Sequence, residues 1–441
     1  MGGEWRTATV QELVNEGVLE RPLDGNHGEI HPKTADFVKE GIPFIMASDI
    51  VGGRVDTRHC AFISEKQARS LRKGFAVAGD VLISHKATMG RTALVQPLDV
   101  PFIMLTPQVT YYRVRDTSRL SNRYLKLYFD GPDFQRLLDT WGQKGSTRAY
   151  LGITAQLDLP IVLPPPEEQR AIAHILGTLD DKIELNRRRN ETLEAMARAL
   201  FQSWFVDFDP VRAKAEGRDP GLPRELADLF PDSFEESELG EVPRGWRVRG
   251  LDEIARFLNG LALQTYPPKD GRSLPVIKIA QLRAGNTKGA DAASADLDLE
   301  YVVEDGDVLF SWSGSLECVL WAGGRGALNQ HLFKVTSAEY PKWLYYLWVH
   351  RHLDDFRHIA AGKATTMGHI QRHHLSDAKT VVPPHQALDA LGKTISPMIE
   401  SLWRRRVESR TLAALRDALL PKLLSGELRV ADAERFAAGA G

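Results

Sequence analysis

The histidine-rich segment MGHIQRHH at 367–374 holds His369, His373 and His374, three side chains that could ligate a metal. No glutamate of a metalloprotease motif accompanies them and no cysteine lies near. A solvated or DNA-facing cluster is therefore a better reading than a metal site. LGKT at Leu391–Thr394 resembles the end of a phosphate-binding loop, but Ala387 stands where its first glycine belongs and a helix begins there without a strand before it. Ser311 and Ser313 are possible nucleophiles, yet SWSG is not a strand-turn-helix elbow and no partners are identifiable upstream. No catalytic constellation emerges, and none of these residues is expected to bind a metal or cofactor.

What the chain offers instead is recognition chemistry. Basic, amide and aromatic side chains gather in short loop segments: His27, His31 and Lys33 in GNHGEIHPK; His85, Lys86 and Arg91 in SHKATMGR; Lys144, Arg148 and Tyr150 in QKGSTRAY. The second half offers Lys278, Gln281, Arg283, Trp312, Asn329, Gln330, Lys363 and Arg372. Arginine and lysine suit guanine edges, and glutamine or asparagine suit adenine edges, so these are the candidate DNA contacts. Each has the ordinary alternative of being a surface residue.

The 441 residues suffice for two or three domains, and an apolar content of 43% argues for a folded chain. Formal net charge is -2, so an anionic partner must be met by local patches and not by a long-range field. Cys60 and Cys318 are far apart, fit no metal-binding spacing and suit a reducing cytosol. The N-terminal segment has no apolar signal core, and no apolar run is long enough to span a bilayer; a cytoplasmic protein is expected.

Two long charged segments must position these groups. From Ile172 the apolar positions Leu176, Leu179, Ile183, Leu193, Ala197, Leu200 and Trp204 recur in steps of three and four, the stripe of a coiled-coil seam. At an offset of 219 the same seam reads Leu391, Ile395, Met398, Leu402, Leu412, Leu419 and Leu423. Asn186 and Asn190 interrupt the first seam where Arg405 and Ser409 interrupt the second, which marks them as register residues. A helix from Glu167 to Phe205 would be about 60 Å long and calls for a partner of its own length. The two are expected to pair, antiparallel. Phe201 and Phe205 add aromatic area beyond what the pair needs, which suggests a docking surface for a partner protein; capping the neighbouring domain is the alternative. Arg187–Arg189 and Arg404–Arg406 could meet solvent, acidic partner helices or phosphates.

The helices belong to a larger repeat. GDVLISHKATMGRTALV (79–95) matches GDVLFSWSGSLECVLW (306–321), and GIPFIMASDI (41–50) resembles SLPVIKIAQL (273–282). A looser match ends at Pro165 and Pro384. Conserved order with drifting offsets is what surface insertions in a duplicated unit produce. The expected organisation is α+β. A first mixed α/β domain spans 1–163 and a long helix 164–208; a connector at 209–245 carries one short helix near Glu225–Leu229; a second domain spans 246–382 and a second long helix 383–428, with a frayed tail at 429–441.

These motifs resemble those of the specificity subunits of type I restriction-modification systems. Pro164–Ile172 has the form P-P-x-x-E-Q-x-x-I, Leu179–Ile183 the form L-D-x-K-I, and Leu423–Leu428 the form L-L-x-G-x-L. The second copy departs at PPHQALDAL, where Gln386 stands without the acidic residue. The resemblance covers essentially the whole chain. It implies two target recognition domains that read the halves of a bipartite double-stranded DNA site, with paired helices that space them and dock partners. It implies no catalysis in this chain. Two methyltransferase subunits would use S-adenosylmethionine to methylate adenine N6, and a restriction subunit would use ATP and Mg2+ to translocate and cut. The rival expectation is a structural adaptor with two protein-binding lobes and no sequence-dependent DNA readout.

Overall fold

The computed structural model describes residues 5–86, 88–142, 150–269, 271–362, 368–428 and 430. The chain divides into two compact units, Met1–Asp181 with Ala413–Gly441, and Lys182–Leu412. The long helices are thus shared between the units, where the sequence suggested elements apart from the domains.

In the first unit, Arg6–Thr9 pairs with Pro160–Leu163 and closes a domain of two sheets. One sheet runs Thr92–Leu94, Val81–Ser84, Val109–Tyr112, Leu23–Asp24, with antiparallel neighbours throughout. The other runs Phe37–Val38, Ala61–Ile63, Ile42–Ile45, Ile103–Leu105, Phe75–Ala76, and its central pair, Ile42–Ile45 with Ile103–Leu105, is parallel. All four residues of Val81–Ser84 and of Val109–Tyr112 are buried, which is why these strands read as continuous apolar runs with no alternation. The segment RLSNRYLKLYFDGPDFQRLLD forms two helices, Asn122–Asp130 and Pro132–Gly142, broken where Pro132 can start a helix but cannot continue one.

The second unit repeats this frame. Arg247–Gly250 pairs with Lys379–Val382. One sheet runs Cys318–Leu320, Val308–Ser311, Leu332–Thr336, Arg256–Asn259. The other runs Ala292–Ser294, Ser273–Ile277, Gly326–Leu328, Val302–Val303, again with a parallel central pair, Ser273–Ile277 with Gly326–Leu328. Its helix Lys342–Ala361 buries Trp343, Tyr345, Tyr346 and Trp348 in the core.

The repeated GDVL motif is a folding device. Gly79 and Gly306 adopt φ of +90° and +92°, open to glycine at little cost. The aspartate that follows accepts a backbone N–H three residues upstream, from Val77 (2.8 Å) or Glu304 (2.9 Å), and closes the turn. It also pairs with a base on the neighbouring strand: Asp80 with Arg113 at 2.7 Å, Asp307 with Lys334 at 2.8 Å.

The long helices are Pro166–Phe201 and His385–Leu424. Within the first unit Asp180 bonds Arg416 (2.7 Å), and Leu424 packs against Gly131. Within the second, Asn186 donates to Glu408 (2.8 Å) and Ser409 (3.3 Å), and Asn190 donates to the Leu402 carbonyl (3.1 Å). As numbers rise along one helix they fall along the other, so the pairing is antiparallel. Ile172, Leu176, Leu179, Leu391, Ile395, Leu402, Leu419 and Leu423 are buried, while Ile183, Leu193, Leu200, Met398 and Leu412 are half-buried; Ile399 is buried beside Met398.

Two expectations need correction. The segment after the first helix is no bare connector. It contains helices Asp209–Ala215 and Arg224–Ala227 and a hairpin of Phe234–Ser237 with Gly240–Pro243. Phe208, Val211, Phe230 and Val242 are buried in the second unit's core, which is what binds this polar segment to the domain. Phe201 and Phe205 are also interior: Phe201 packs on Trp348 (5.1 Å) and Phe205 on Trp343 and Trp246 (5.5 and 5.6 Å). They cap the second unit's core, the alternative that the sequence also offered. The first helix ends in a π-helical turn, Gln202–Val206, followed by Phe208 at φ +56°.

Candidate nucleic-acid interface

In each unit the two sheets meet at a backbone crossing that only glycine permits. A Cβ at Gly25 would lie 1.9 Å from the Leu105 carbonyl oxygen, and one at Gly260 would lie 2.3 Å from that of Asn329. The preceding residues, Asp24 and Asn259, end equivalent strands, and the crossing brings equivalent loops to both. The shared pattern is Leu-Asp-Gly at 23–25 and Leu-Asn-Gly at 258–260. It was present in the sequence, but three residues without a longer match gave no signal above composition.

In the first unit Asp24 is buried and accepts from His27 Nε2 (2.6 Å) and from Lys73 Nζ. Burial alone would raise its pKa, but those hydrogen bonds and charges outweigh burial and hold the carboxyl below its usual range. His85 follows the Val81–Ser84 strand. Its ring is buried, its Nδ1 faces the Leu151 carbonyl (2.9 Å), and its Nε2 lies 4.0 Å from Asp24 with no hydrogen-bond partner among the described residues. Burial lowers its pKa, so the imidazole is neutral near pH 7. His85 is therefore an interior support with no exposed face, where the sequence suggested a DNA contact. Tyr150 lies across it at 5.7 Å between ring centroids, and the Lys86 ammonium stands 5.9 Å from the Tyr150 ring. His27, Lys86 and Tyr150, all exposed, are thus brought together, with Lys73 as a member that sequence reasoning missed because only the fold sets it against Asp24.

The other first-half candidates disperse. His31 is half-buried against Phe44 and bonded to the Asn26 carbonyl (3.1 Å). Lys33 is exposed at a 3-10 turn, and the Arg91 guanidinium is tied to the Ala47 carbonyl (3.0 Å). Lys144 and Arg148, like Lys363 of the second half, lie outside the described residues.

In the second unit Trp312 takes the position of His85, and its indole Nε1 donates to Asn259 Oδ1 at 2.8 Å and to the Gln330 carbonyl at 3.2 Å. His331 stacks obliquely on Trp312 at 5.8 Å, and Ser313 Oγ lies 3.0 Å from its Nδ1. Asn329 is held beside them by its N–H to the Ile277 carbonyl (3.3 Å). Lys278 follows directly but is paired with Asp291 (2.5 Å), and Gln281 turns back to cap the helix Ile279–Ala284. Arg283 and Arg372 are exposed. Ser311 Oγ accepts from Glu317 N (2.8 Å) and donates to the Ser315 carbonyl (2.7 Å), so it holds the turn as Ser84 does for Arg91 N (2.9 Å). The His373 and His374 rings lie 4.0 Å apart, tilted by 48°, and no three His, Cys, Asp or Glu side chains are placed to hold a metal among the described residues. Gly392 lies mid-helix against Trp343, with no loop to wrap a phosphate. No described helix is long and apolar enough to cross a membrane.

A duplicated α+β module, each copy ending in polar loops at one glycine crossing and each followed by a long helix, defines a protein built for paired recognition. Known proteins of similar sequence and fold point to one family. Residues 23–195 match the type I restriction modification DNA specificity domain. The chain is 25% identical over 389 residues to the specificity subunit of type I restriction enzyme MjaIX of Methanocaldococcus jannaschii, which covers 83% of this chain and 82% of that one. It is 26% identical over 333 residues to the HindI specificity subunit of Haemophilus influenzae, covering 61% and 69%. Its fold is like that of the S subunit of a type I restriction-modification system from M. genitalium, with a TM-score of 0.56 at 14% identity over 95% of this chain and 96% of the other. Residues 23–195 thus carry a type I restriction-modification DNA specificity domain, and most of the chain is similar to specificity subunits of such systems.

Proposed function

We propose that this chain is the non-catalytic DNA-specificity subunit of a type I restriction-modification complex, and that each of its two domains reads one half of a bipartite site. The observation that carries this reading is the duplicated module with its recognition groups at the same crossing, His27, Lys73, Lys86 and Tyr150 in one copy, Trp312, Gln330 and His331 in the other. The bound partners are double-stranded DNA, two copies of the methyltransferase subunit and a restriction-translocase subunit. S-adenosylmethionine, ATP and Mg2+ belong to those partners. Many of the chain's basic residues are already paired with its own acids, and net charge is -2, so DNA affinity of the chain alone is weak and that of the complex strong and salt-dependent.

The test is methylome sequencing of a host expressing this chain with its methyltransferase partner, against the same host lacking only this chain. A bipartite adenine-methylated motif lost with the chain supports the reading. An unchanged methylome with both proteins expressed overturns it in favour of a structural adaptor.

A further inference from the structure

The two crossings are alike in backbone and differ in charge. At the first, the buried Asp24 carboxylate gathers two cationic or donor side chains that remain partly in solvent, Lys73 and His27, the latter half exposed. At the second, the uncharged Asn259 accepts one indole N–H and so fixes the plane of Trp312, against which His331 leans. The occupants differ, but strand, glycine and crossing do not. We propose that Asp24 and Asn259 are equivalent positioning residues. In the first module discrimination depends on a negative charge that holds Lys73 and His27 in place; in the second it depends only on a hydrogen-bond acceptor that orients Trp312.

This rests on the function proposed above and extends it to a difference between the halves. A carboxylate holds an ammonium by charge as well as by hydrogen bond, so Asp24→Asn keeps the shape and loses the clamp. An indole N–H needs only an acceptor, so Asn259→Asp keeps the orientation, while Asn259→Ala leaves only the longer bond to the Gln330 carbonyl (3.2 Å) and loosens it. The same exchange of acid and amide thus has opposite consequences in the two modules, which a general loss of folding cannot imitate.

The experiment reconstitutes the complex with the methyltransferase subunits and measures methylation rates on duplexes carrying single base changes in either half-site. Asp24→Asn, and Lys73→Met as a variant that leaves the buried carboxylate in place, lower discrimination in the first half-site by roughly tenfold or more. Discrimination in the second half-site stays as in the native complex and reports that the assembly is intact. Asn259→Ala relaxes only the second half-site, and Asn259→Asp restores it. The inference is overturned if Asp24→Asn and Lys73→Met leave the first half-site unchanged, if both half-sites relax together, or if Asn259→Asp behaves as Asn259→Ala. A native complex that methylates no bipartite site removes the functional reading itself, and this inference with it.

Discussion

The polar seam of the helix pair makes a quantitative prediction. Asn190 is 7% exposed, donates one hydrogen bond to the Leu402 carbonyl, and has an Oδ1 with no partner among the described residues. Asn190→Leu buries an aliphatic side chain worth about 2 kcal/mol and removes an unpaired buried carbonyl worth about 1 kcal/mol. Against this stand about 1 kcal/mol for the lost hydrogen bond and about 1 kcal/mol for fitting a larger side chain. The net is a stabilisation of about 1 kcal/mol, a rise of roughly 2–4 °C in the melting temperature of a unit of this size. Thermal unfolding of the purified chain measures it. The gain comes with a loosened register, because an all-apolar seam no longer distinguishes the native pairing from one slipped by a turn. Spin labels at Arg189 and Arg404 read that directly: one narrow distance distribution for the native chain, a broader or second one for Asn190→Leu. Destabilisation by more than about 1 kcal/mol would refute the energetic reasoning, and a higher melting temperature with an unbroadened distribution would refute the register role.

Other perturbations follow from the same geometry. Burial, reinforced by the nearby positive charges of Arg198 and Arg357, lowers the His350 pKa to about 3, from an ordinary value near 6.5. The unfolded chain therefore takes up a proton that the folded chain refuses, so stability falls as pH drops from 6.5 towards 3, by about 1.4 kcal/mol at pH 5.5. His350→Gln flattens that part of the profile in urea titrations at pH 7.5 and 5.5; equal slopes for both proteins would rule the mechanism out. Gly25→Ala and Gly260→Ala each force a methyl into a carbonyl and cost about 2 kcal/mol or more, measured as loss of unfolding free energy; near-neutral values would show that the crossings can open. Phe201→Ala empties a buried aromatic site and costs about 3–5 kcal/mol, seen in the melting temperature. Leu185→Asp with Met196→Asp, on the exposed apolar positions of the same helix, leaves stability within about 0.5 kcal/mol and weakens capture of the methyltransferase subunit. Unchanged capture would place docking elsewhere.

Much of the frame was legible because it repeats. The GDVL blocks, the helix seams and the polar breaks at Asn186 and Asn190 each recur, and each recurrence has a backbone or packing cause that survives divergence. The covered aromatics were harder to read. Phe201 and Phe205 looked surplus because their partners, Trp246, Trp343 and Trp348, lie far along the chain and no local pattern links them. The segment 209–245 looked like a linker because its composition is polar, while a few apolar residues, Val211, Phe230 and Val242 with Phe208 just before it, suffice to anchor it. His85 stood among exposed basic residues in sequence, and only the register of its strand turned it inward.

The division between frame and reader explains how one fold can carry two unlike surfaces. Frame residues act through backbone atoms: Gly79 and Gly306 through φ, Asp80 and Asp307 through a turn N–H, Ser84 and Ser311 through the N–H of Arg91 or Glu317. A side chain committed to a backbone group leaves little freedom to vary. The next residue also touches a backbone carbonyl, Leu151 for His85 and Gln330 for Trp312. In addition it faces the side chain before the glycine crossing: Trp312 hydrogen-bonds to Asn259, and His85 supports the exposed readers from 4.0 Å behind Asp24. A contact between two side chains can be rewritten by changing both, and doing so leaves every strand pairing intact. A change of half-site preference should therefore come most cheaply from paired substitutions at 24 with 85, or at 259 with 312, and single substitutions there should mostly weaken reading without redirecting it.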